Sequence, residues 1–575
     1  MNAWRDDNEE ALPANMIRWR YMAVLLFFAC ILGLIIGRLV MLHAVDQEFL
    51  FHEGEKRSVR AIPEPAHRGD ILDRQGRPLA VSTEVVEIGL HPLRVDLAQL
   101  PEMARIMKLD PNALVARVKR SAKASQNFIY IDRLVEPGVA DKVEALGIKG
   151  LQLQRRAHRY YPAAEVASHL VGIVDIDHQG QEGLELAYDQ YLSGTPGKRT
   201  VLKDNRGQVI KQLRLDEAAK PGDDLQLTID LRLQYLAYRE LLAAVNEHKA
   251  KTGSAVLLDA KTSEVLALVN QPSYNPNNRR ELKPGSMRNR ALADVIEPGS
   301  TMKPFTVAAA LESGRYRPDS VLDTSPGYLR VRSKTIRDHR DYGQLDLTGV
   351  ITKSSNVGAT LLSKDLGAEA VWSFFHAAGM GTASGLGFPG ESVGSLPYPE
   401  QMDSLRLATV SYGYGMAVSP LQLAQAYTSF TQNGCRKPAV LVVGQQAGDC
   451  QPVMSSAVAH QMLNILETVT SNKGTGRRAR VDGYRVGGKT GTAHKVGRGG
   501  YEDSAYTAVF VGTAPLTNPD LVLVVVVDEP QGREYYGGEV AAPVFSRIME
   551  QALRIRQVAP DDLSGIEVQV AGGAR

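Results

Sequence analysis

The chain has 575 residues and a formal net charge of +2, with 44% hydrophobic and 23% charged residues. That length exceeds one ordinary domain, at about 100–200 residues each, and the near-neutral balance excludes the basic field of a nucleic-acid binder. Three cysteines and scattered histidines exclude a thiolate zinc site and the HExxH spacing of a metalloprotease, so no metal site is expected.

From Tyr21 to Leu42 the sequence is apolar except for Arg38. At about 1.5 Å per residue the run is about 33 Å long, enough to cross a bilayer core. Arg38 stands one turn from its end, where a long side chain reaches the headgroups at modest cost. A buried core helix would be less uniformly apolar, and a cleaved signal peptide has a shorter apolar region ending in small residues. A transmembrane helix over residues 21–43 is therefore expected. Arg18 and Arg20 precede it, whereas Asp46, Glu48, Glu53 and Glu55 follow. The positive-inside rule then makes residues 1–20 a cytoplasmic tail and puts the remainder outside the plasma membrane.

Residues 44–221 mix short β-like runs with turn signals. HRGDILDRQGRPLAVS, from His67 to Ser82, predicts a hairpin in which Ile71 and Leu72 lead into an Asp73–Gly76 turn and Leu79 to Val81 return. RYYP at Arg159–Pro162, GQEGLE at Gly180–Glu185 and the turn-rich SGTPGK follow, and Pro221-Gly222-Asp223-Asp224 marks a domain boundary.

Across residues 222–555 the spacing predicts a helix over Thr228–Val245, a strand pair at Ser254–Asp259 and Glu264–Val269, and strands at Tyr506–Gly512 and Leu521–Val527. A closing helix is expected over Ala541–Arg554, with a mostly helical stretch between about Gly285 and Val469. An antiparallel sheet assembled from both ends around a helical insertion is an α+β fold. The glycine-rich end of residues 556–575 reads as a loose tail.

The chemistry begins at EPGSTMKP, before an alanine-rich segment that favours helix. Pro304 has no N–H to donate, so the helix is expected to start no earlier than Ser300. Ser300 then sits in its first turn, where unpaired N–H groups and the positive dipole end suit a developing oxyanion. Lys303 follows on the same face, within reach of the serine oxygen. To act as a base it must lose its proton, which requires burial or a second cation nearby. Ser-x-x-Lys alone is weak, with about one or two chance matches expected in such a chain. It is joined here by Ser354-Ser355-Asn356 and by Lys489-Thr490-Gly491-Thr492. A serine hydroxyl relays a proton, an asparagine amide bonds a substrate amide, and lysine and threonine hold a carboxylate.

In this order the three motifs resemble those of the penicillin-binding proteins and serine β-lactamases. RGDILDRQG, RYYP and GQEGLE are similar to the non-penicillin-binding pedestal of the class B enzymes. SSNVG and ATVSYGYGMAVSPLQLA, from Ala408 to Ala424, resemble the cell-division, FtsI-like branch. The resemblance implies one transmembrane helix, a mixed pedestal domain of the dimerisation type over 44–221, and a transpeptidase domain over 222–555. Its activity would be that of a serine D,D-transpeptidase cross-linking cell-wall peptide at the septum. Ser300 would be the nucleophile, Lys303 its base and Ser354 a proton relay. Asn356, Lys489, Thr490, Gly491 and Thr492 would bind substrate, the backbone N–H groups of Ser300 and Thr492 would form the oxyanion hole, and a charged Lys489 would help keep Lys303 neutral.

No cofactor is implied. The expected partners are peptidoglycan stem peptides, β-lactam antibiotics, a glycan polymerase of the FtsW (SEDS) kind and divisome proteins. A β-lactamase and a catalytically silent scaffold share the motifs, but the large pedestal favours the transpeptidase. His494 and the pair Tyr535-Tyr536 either flank the pocket mouth or are, in the preferred reading, a surface histidine and two half-buried tyrosines. Cys435 and Cys450 either pair or remain two separate thiols.

A rival reading uses Gly483-Tyr-Arg-Val-Gly-Gly488-Lys489-Thr490, which fits the phosphate-loop pattern GxxxxGK[ST] beside the acidic strand LVLVVVVDE. It requires a helix directly after the loop to meet the phosphates. The glycines at 491, 497, 499 and 500 argue against one, and ATP is scarce outside the membrane.

Overall fold

The apolar run near the N-terminus folds as a helix, α1 (Ala14–Val40), that continues as a wider turn through Met41–Val45. Its segment Arg18–Val45 has a mean hydropathy of 2.6 and no buried residue, and it is the one stretch among the described residues long and apolar enough to cross a membrane. An apolar helix with no protein packed on it requires another apolar medium. The computed structural model describes residues 14–203, 209–446, 448–497 and 500–562. The cytoplasmic tail expected before residue 14 and the loose tail expected beyond 562 lie outside that range.

Packing divides the chain into two units, Met1–Ala66 with Thr195–Lys220, and His67–Gly194 with Pro221–Arg575. In the first, Val59–Glu64, Gly197–Lys203 and Val209–Glu217 make a three-stranded antiparallel sheet.

In the second unit the expected hairpin is present. Ile71 pairs with Ala80 and Leu72 with Pro78. Gly76 N donates to Asp73 O at 3.0 Å, while Asp73 Oδ1 accepts from Gln75 N and Arg77 N at 2.8 Å each. The returning strand extends to Leu90 and pairs antiparallel with Leu151–Tyr160 and Ile129–Val135. The three pedestal motifs meet in one buried ionic cluster. Arg68 Nε, from HRGD, and Arg159 Nε, from RYYP, each donate to an oxygen of Glu185, from GQEGLE, at 2.7 Å. The Glu185 side chain is fully buried, Arg159 is 1% exposed and Arg68 4%. A buried carboxylate is tolerated there because both its oxygens are charge-paired.

The larger sheet has five antiparallel strands: β1 (Thr252–Asp259), β2 (Val265–Gln271), β3 (Gly487–Gly497), β4 (Gly500–Ala514) and β5 (Leu521–Asp528). Their order is β2-β1-β5-β4-β3, so strands from both ends of the sequence are neighbours and β3 is an edge. Leu521, Leu523 and Val525 enter one apolar layer and Val522, Val524 and Val526 the other. That alternation is the period-2 geometry of a strand, and LVLVVVV reads as uninterrupted because both faces are covered. Helices α2 (Leu231–Glu247) and α6 (Gly537–Ile555) cover one face. Opposite them stand α3 (Lys303–Glu312), α4 (Asn356–Leu366) and α5 (Pro420–Thr431) of the helical insertion.

One detail differs from the sequence reading, and a second decides between alternatives it left open. The chain beyond α6 is held as far as Asp561, which accepts from Arg485 N at 2.7 Å and Thr517 Oγ1 at 2.9 Å. Cys435 and Cys450 form a disulfide.

Candidate active site

Ser300 lies in a tight turn, Gly299–Met302, that runs directly into α3. Two glycines make the turn possible. Gly299, at φ 55°, donates its N–H to Gly413 O at 3.0 Å, and a Cβ on Gly413 would come within 2.1 Å of Gly299 O. Helix α3 is buried from Lys303 to Leu311, with Phe305 packed against Tyr427 and Phe430 at ring distances of 5.4 and 5.0 Å. The nucleophile candidate thus stands on a rigid post, as positioning chemistry requires. Its hydroxyl has no hydrogen-bond partner among the described residues.

Lys303 turns its amine to Ser354, donating to the Ser354 carbonyl and, at 3.1 Å, to its hydroxyl. Lys489 Nζ reaches the same hydroxyl at 3.0 Å from the edge strand β3. Both lysines are 0% exposed. Burial drives the Lys303 pKa well below the ordinary lysine value, with the Lys489 charge adding to the shift and Asp338 opposing it. Lys489 is lowered by burial to about 7. The sequence reading named burial or a second cation as what lowers this pKa; both act, and burial is the larger cause.

Ser354 itself is held in the left-handed conformation, φ 60° and ψ 43°, at the end of the short helix Leu347–Lys353. Asp338, which the sequence reading did not single out, fixes the residues that follow Ser354. Its carboxylate accepts from Ser355 Oγ and Asn356 N at 2.5 Å each and from Val357 N at 3.0 Å, gathering the first N–H groups of α4. An acid at a helix N-terminus is favourable on general grounds, but Asp338 lies outside the motif it stabilises, so no local spacing announces it. The Asn356 side chain donates to Arg337 O at 2.9 Å.

A cavity of about 740 Å³ is lined by Ser300, Ser354, Asn356, Thr490 and Thr492 together with His339, Tyr414 and Thr475. Lys303, Lys489 and Gly491 are not among its walls: the lysines lie beneath the floor, and Gly491 contributes close approach. A Cβ on Gly491 would meet Pro298 O at 2.8 Å and Thr301 Cγ2 at 2.9 Å, so only glycine lets β3 press against the Ser300 turn. Thr490 Oγ1 bonds Thr475 Oγ1 at 2.8 Å, and Thr492 Oγ1 accepts from Gly537 N at 2.9 Å. His494 and the tyrosine pair also line the cavity, contrary to the preferred surface reading. Tyr506 stacks on Tyr535 at 4.4 Å, and Tyr535 lies 4.4 Å from Tyr536. Sequence periodicity alone does not reveal this row, because Tyr506 belongs to β4 while the pair stands just before α6.

The phosphate-loop reading is overturned. Lys489 sits inside β3, paired with Val511 across the sheet, and the residues after it continue as strand. No helix follows directly on Lys489-Thr490, so the phosphate-loop mechanism lacks the strand–loop–helix cradle it needs.

Serine, two buried amines and a shared hydroxyl, set between an edge strand and a helical insertion, define a penicillin-recognising acyltransferase class. Residues 253–550 match the penicillin binding protein transpeptidase domain and residues 63–227 the penicillin-binding protein dimerisation domain. The chain is 40% identical to the protein named Probable peptidoglycan D,D-transpeptidase PbpC of Pseudomonas aeruginosa, covering 95% of this chain and 96% of that one. It is 39% identical to peptidoglycan D,D-transpeptidase FtsI of Escherichia coli, over 96% and 94% of the two chains. Penicillin binding protein 3 of Mycobacterium tuberculosis, solved with aztreonam, superposes with a TM-score of 0.68 at 27% identity, covering 87% of this chain and 98% of its own. The chain belongs to the FtsI-like class B penicillin-binding proteins, a family of serine-type transpeptidases.

Proposed function

We propose that the cavity performs a two-step acyl transfer that cross-links peptidoglycan stem peptides during septal wall synthesis. The observation that carries this reading is the Ser354 hydroxyl, 3.1 Å from the Lys303 amine and 3.0 Å from the Lys489 amine, at the floor of the cavity that Ser300 lines. Ser300 Oγ attacks the penultimate D-alanyl carbonyl, and its proton passes to the neutral Lys303 amine. The C–N bond then breaks and D-alanine leaves, its nitrogen taking a proton relayed from Lys303 through Ser354. An amine of a neighbouring peptide attacks the resulting ester, forming the new amide and restoring the Ser300 hydroxyl.

The developing oxyanion is met by the backbone N–H groups of Ser300 and Thr492. Thr490 and Thr492 hold the terminal carboxylate, Gly491 lets their strand approach, and Lys489 supports that carboxylate electrostatically from below while biasing Lys303 toward the neutral form. Asn356 bonds a backbone amide of the donor peptide. β-Lactams acylate the same oxygen. Labelling the full chain with a fluorescent penicillin, wild type beside Ser300→Ala, tests the assignment: the variant is expected to remain unlabelled, and persistent labelling sinks it.

Residues 44–221 serve as the pedestal and 222–555 as the transpeptidase domain, with α1 as a single-pass anchor whose N-terminus is cytoplasmic. Protease added outside spheroplasts is expected to release a soluble fragment beginning after about residue 43. Release only after permeabilisation reverses the orientation. The resemblance also supports a polytopic FtsW-like polymerase and divisome proteins as partners at the septum, and their co-isolation with this chain from solubilised membranes is the measurement.

A further inference from the structure

We propose that a basic groove beside Asn356 is a subsite for a carboxylate-bearing stretch of the peptide whose end is attacked at Ser300. This rests on the transpeptidase reading and extends it to the part of the substrate away from the reacting bond. The groove has a volume of about 750 Å³, and its lining includes Lys334, Arg337 and Arg406. Asn356 lines both the groove and the catalytic cavity. Tyr412, in the groove, and Tyr414, in the cavity, stand side by side with ring centres 5.8 Å apart.

The charge balance is one-sided. The hairpin formed by Tyr328–Val331 and Lys334–Arg337 carries Arg330, Arg332, Lys334 and Arg337. Asp403 is the one acid in the groove lining and is already engaged: it pairs with Arg332 at 2.7 Å and accepts from Leu405 N and Arg406 N at 3.0 and 2.8 Å. Lys334, Arg337 and Arg406 form no ion pair among the described residues. Arg337 lies over the Tyr328 ring at 5.2 Å, and Arg406 donates to Gln401 O at 3.3 Å. Exposed cations on a hairpin are ordinarily just solvated. Here three gather in a concave site from which acids are absent or spoken for, a field that concentrates anionic ligands.

The direction of the substrate follows from the site. Its terminal carboxylate is held at Thr490 and Thr492 and its backbone amide at Asn356, so the chain leaves past Asn356, the residue the two cavities share. Each further residue advances it by about 3.3 Å, which brings the next side chains or free carboxylates opposite the cations. The groove wall and the amide-binding residue are also one mechanical piece. Asn356 Nδ2 donates to Arg337 O at 2.9 Å, and Asp338, next in sequence, binds Asn356 N at 2.5 Å. Occupancy of the groove therefore bears on the placement of Asn356.

The test uses the full-length protein in detergent and two D-alanyl thioester peptides that differ only in whether their upstream carboxylates are free or amidated. The readout is the ratio of second-order acylation rates at Ser300. Exposed ion pairs contribute modestly, so in the wild type the free acid is expected to be preferred by about fivefold. The preference should shrink as salt is raised and fall to about one in Lys334→Ala/Arg406→Ala. A ratio near one in the wild type, or one preserved in the double variant, overturns the subsite while penicillin labelling leaves the transpeptidase reading standing. Failure of penicillin and both thioesters to acylate Ser300 overturns that reading, and the subsite falls with it.

Discussion

Around Glu185 two guanidiniums converge on one carboxylate, whereas around Ser354 two amines converge on one hydroxyl. Both clusters are buried in the same compact unit. In the first, each oxygen of the acid has a charged donor at 2.7 Å, so desolvation is offset by pairing. In the second no carboxylate touches either amine, and burial is relieved by giving up protons, which is why both lysines are depressed. The same cost of buried charge thus yields a structural tie where the signs are opposite and a reactive base where they are alike. Perturbed groups at a cleft mark function; a charge-paired ion cluster outside its lining marks architecture.

The largest expected effect separates the two clusters by what is lost. Lys303→Ala should slow β-lactam acylation by about 10²–10⁴-fold, the usual worth of general-base help. Lys303→Arg should do no better, because a guanidinium does not become neutral. Removing this buried amine should at the same time leave the melting temperature unchanged or raised. Acylation of Lys303→Arg at the wild-type rate refutes the base role. Glu185→Ala should show the reverse pattern. Leaving buried Arg159 without its close acid, and Arg68 with Asp189 alone, costs about 3 kcal/mol, read as a fall in urea midpoint, while Ser300 in the remaining folded protein still acylates. A variant that keeps wild-type stability shows that the cluster contributes nothing net.

That contrast also explains how much was legible in the sequence. The strands around Ser254, Val265, Tyr506 and Leu521, and the helices beginning near Leu231 and Gly537, carry their own periodicity or uniform apolarity, so local pattern announces them. The hairpin at Asp73–Gly76 carries its turn residues. Ser300, Ser354 and Lys489 were recognisable because three spaced motifs co-occur, although no spacing reveals that both amines turn to the Ser354 hydroxyl. Asp338 and Thr475 were invisible, since each acts on a motif distant in sequence and adjacent only after folding. Tyr506, Tyr535 and Tyr536 are unremarkable one by one and become a row through the turn that brings β4 and the start of α6 together. The Arg68–Arg159–Glu185 cluster was half legible: the motifs could be picked out, their meeting could not.

The smallest expected effect sharpens the account of Lys489, which lies beneath the cavity and outside its lining. Lys489→Ala should lower the acylation efficiency of penicillins, which bear a carboxylate, by at least about tenfold, the worth of one charge-assisted hydrogen bond. Its pH dependence discriminates further, because second-order acylation reports the free enzyme. As pH rises and Lys303 loses its proton, the rate climbs. As pH passes the Lys489 value of about 7, the supporting charge disappears and the rate should fall again. The same shift has a stability consequence with a fixed sign. Above about pH 7 the unfolded lysine still binds a proton that the folded one has released, so the Lys489 contribution to stability rises with pH between about 7 and its ordinary value of 10.5 and is lost as pH falls through 7. In Lys489→Ala both the descending limb of the acylation profile and this alkaline gain should vanish together. A variant that keeps the descending limb assigns it to some other group, and one that acylates with penicillins at the wild-type rate places the anion contact on Thr490 and Thr492 alone.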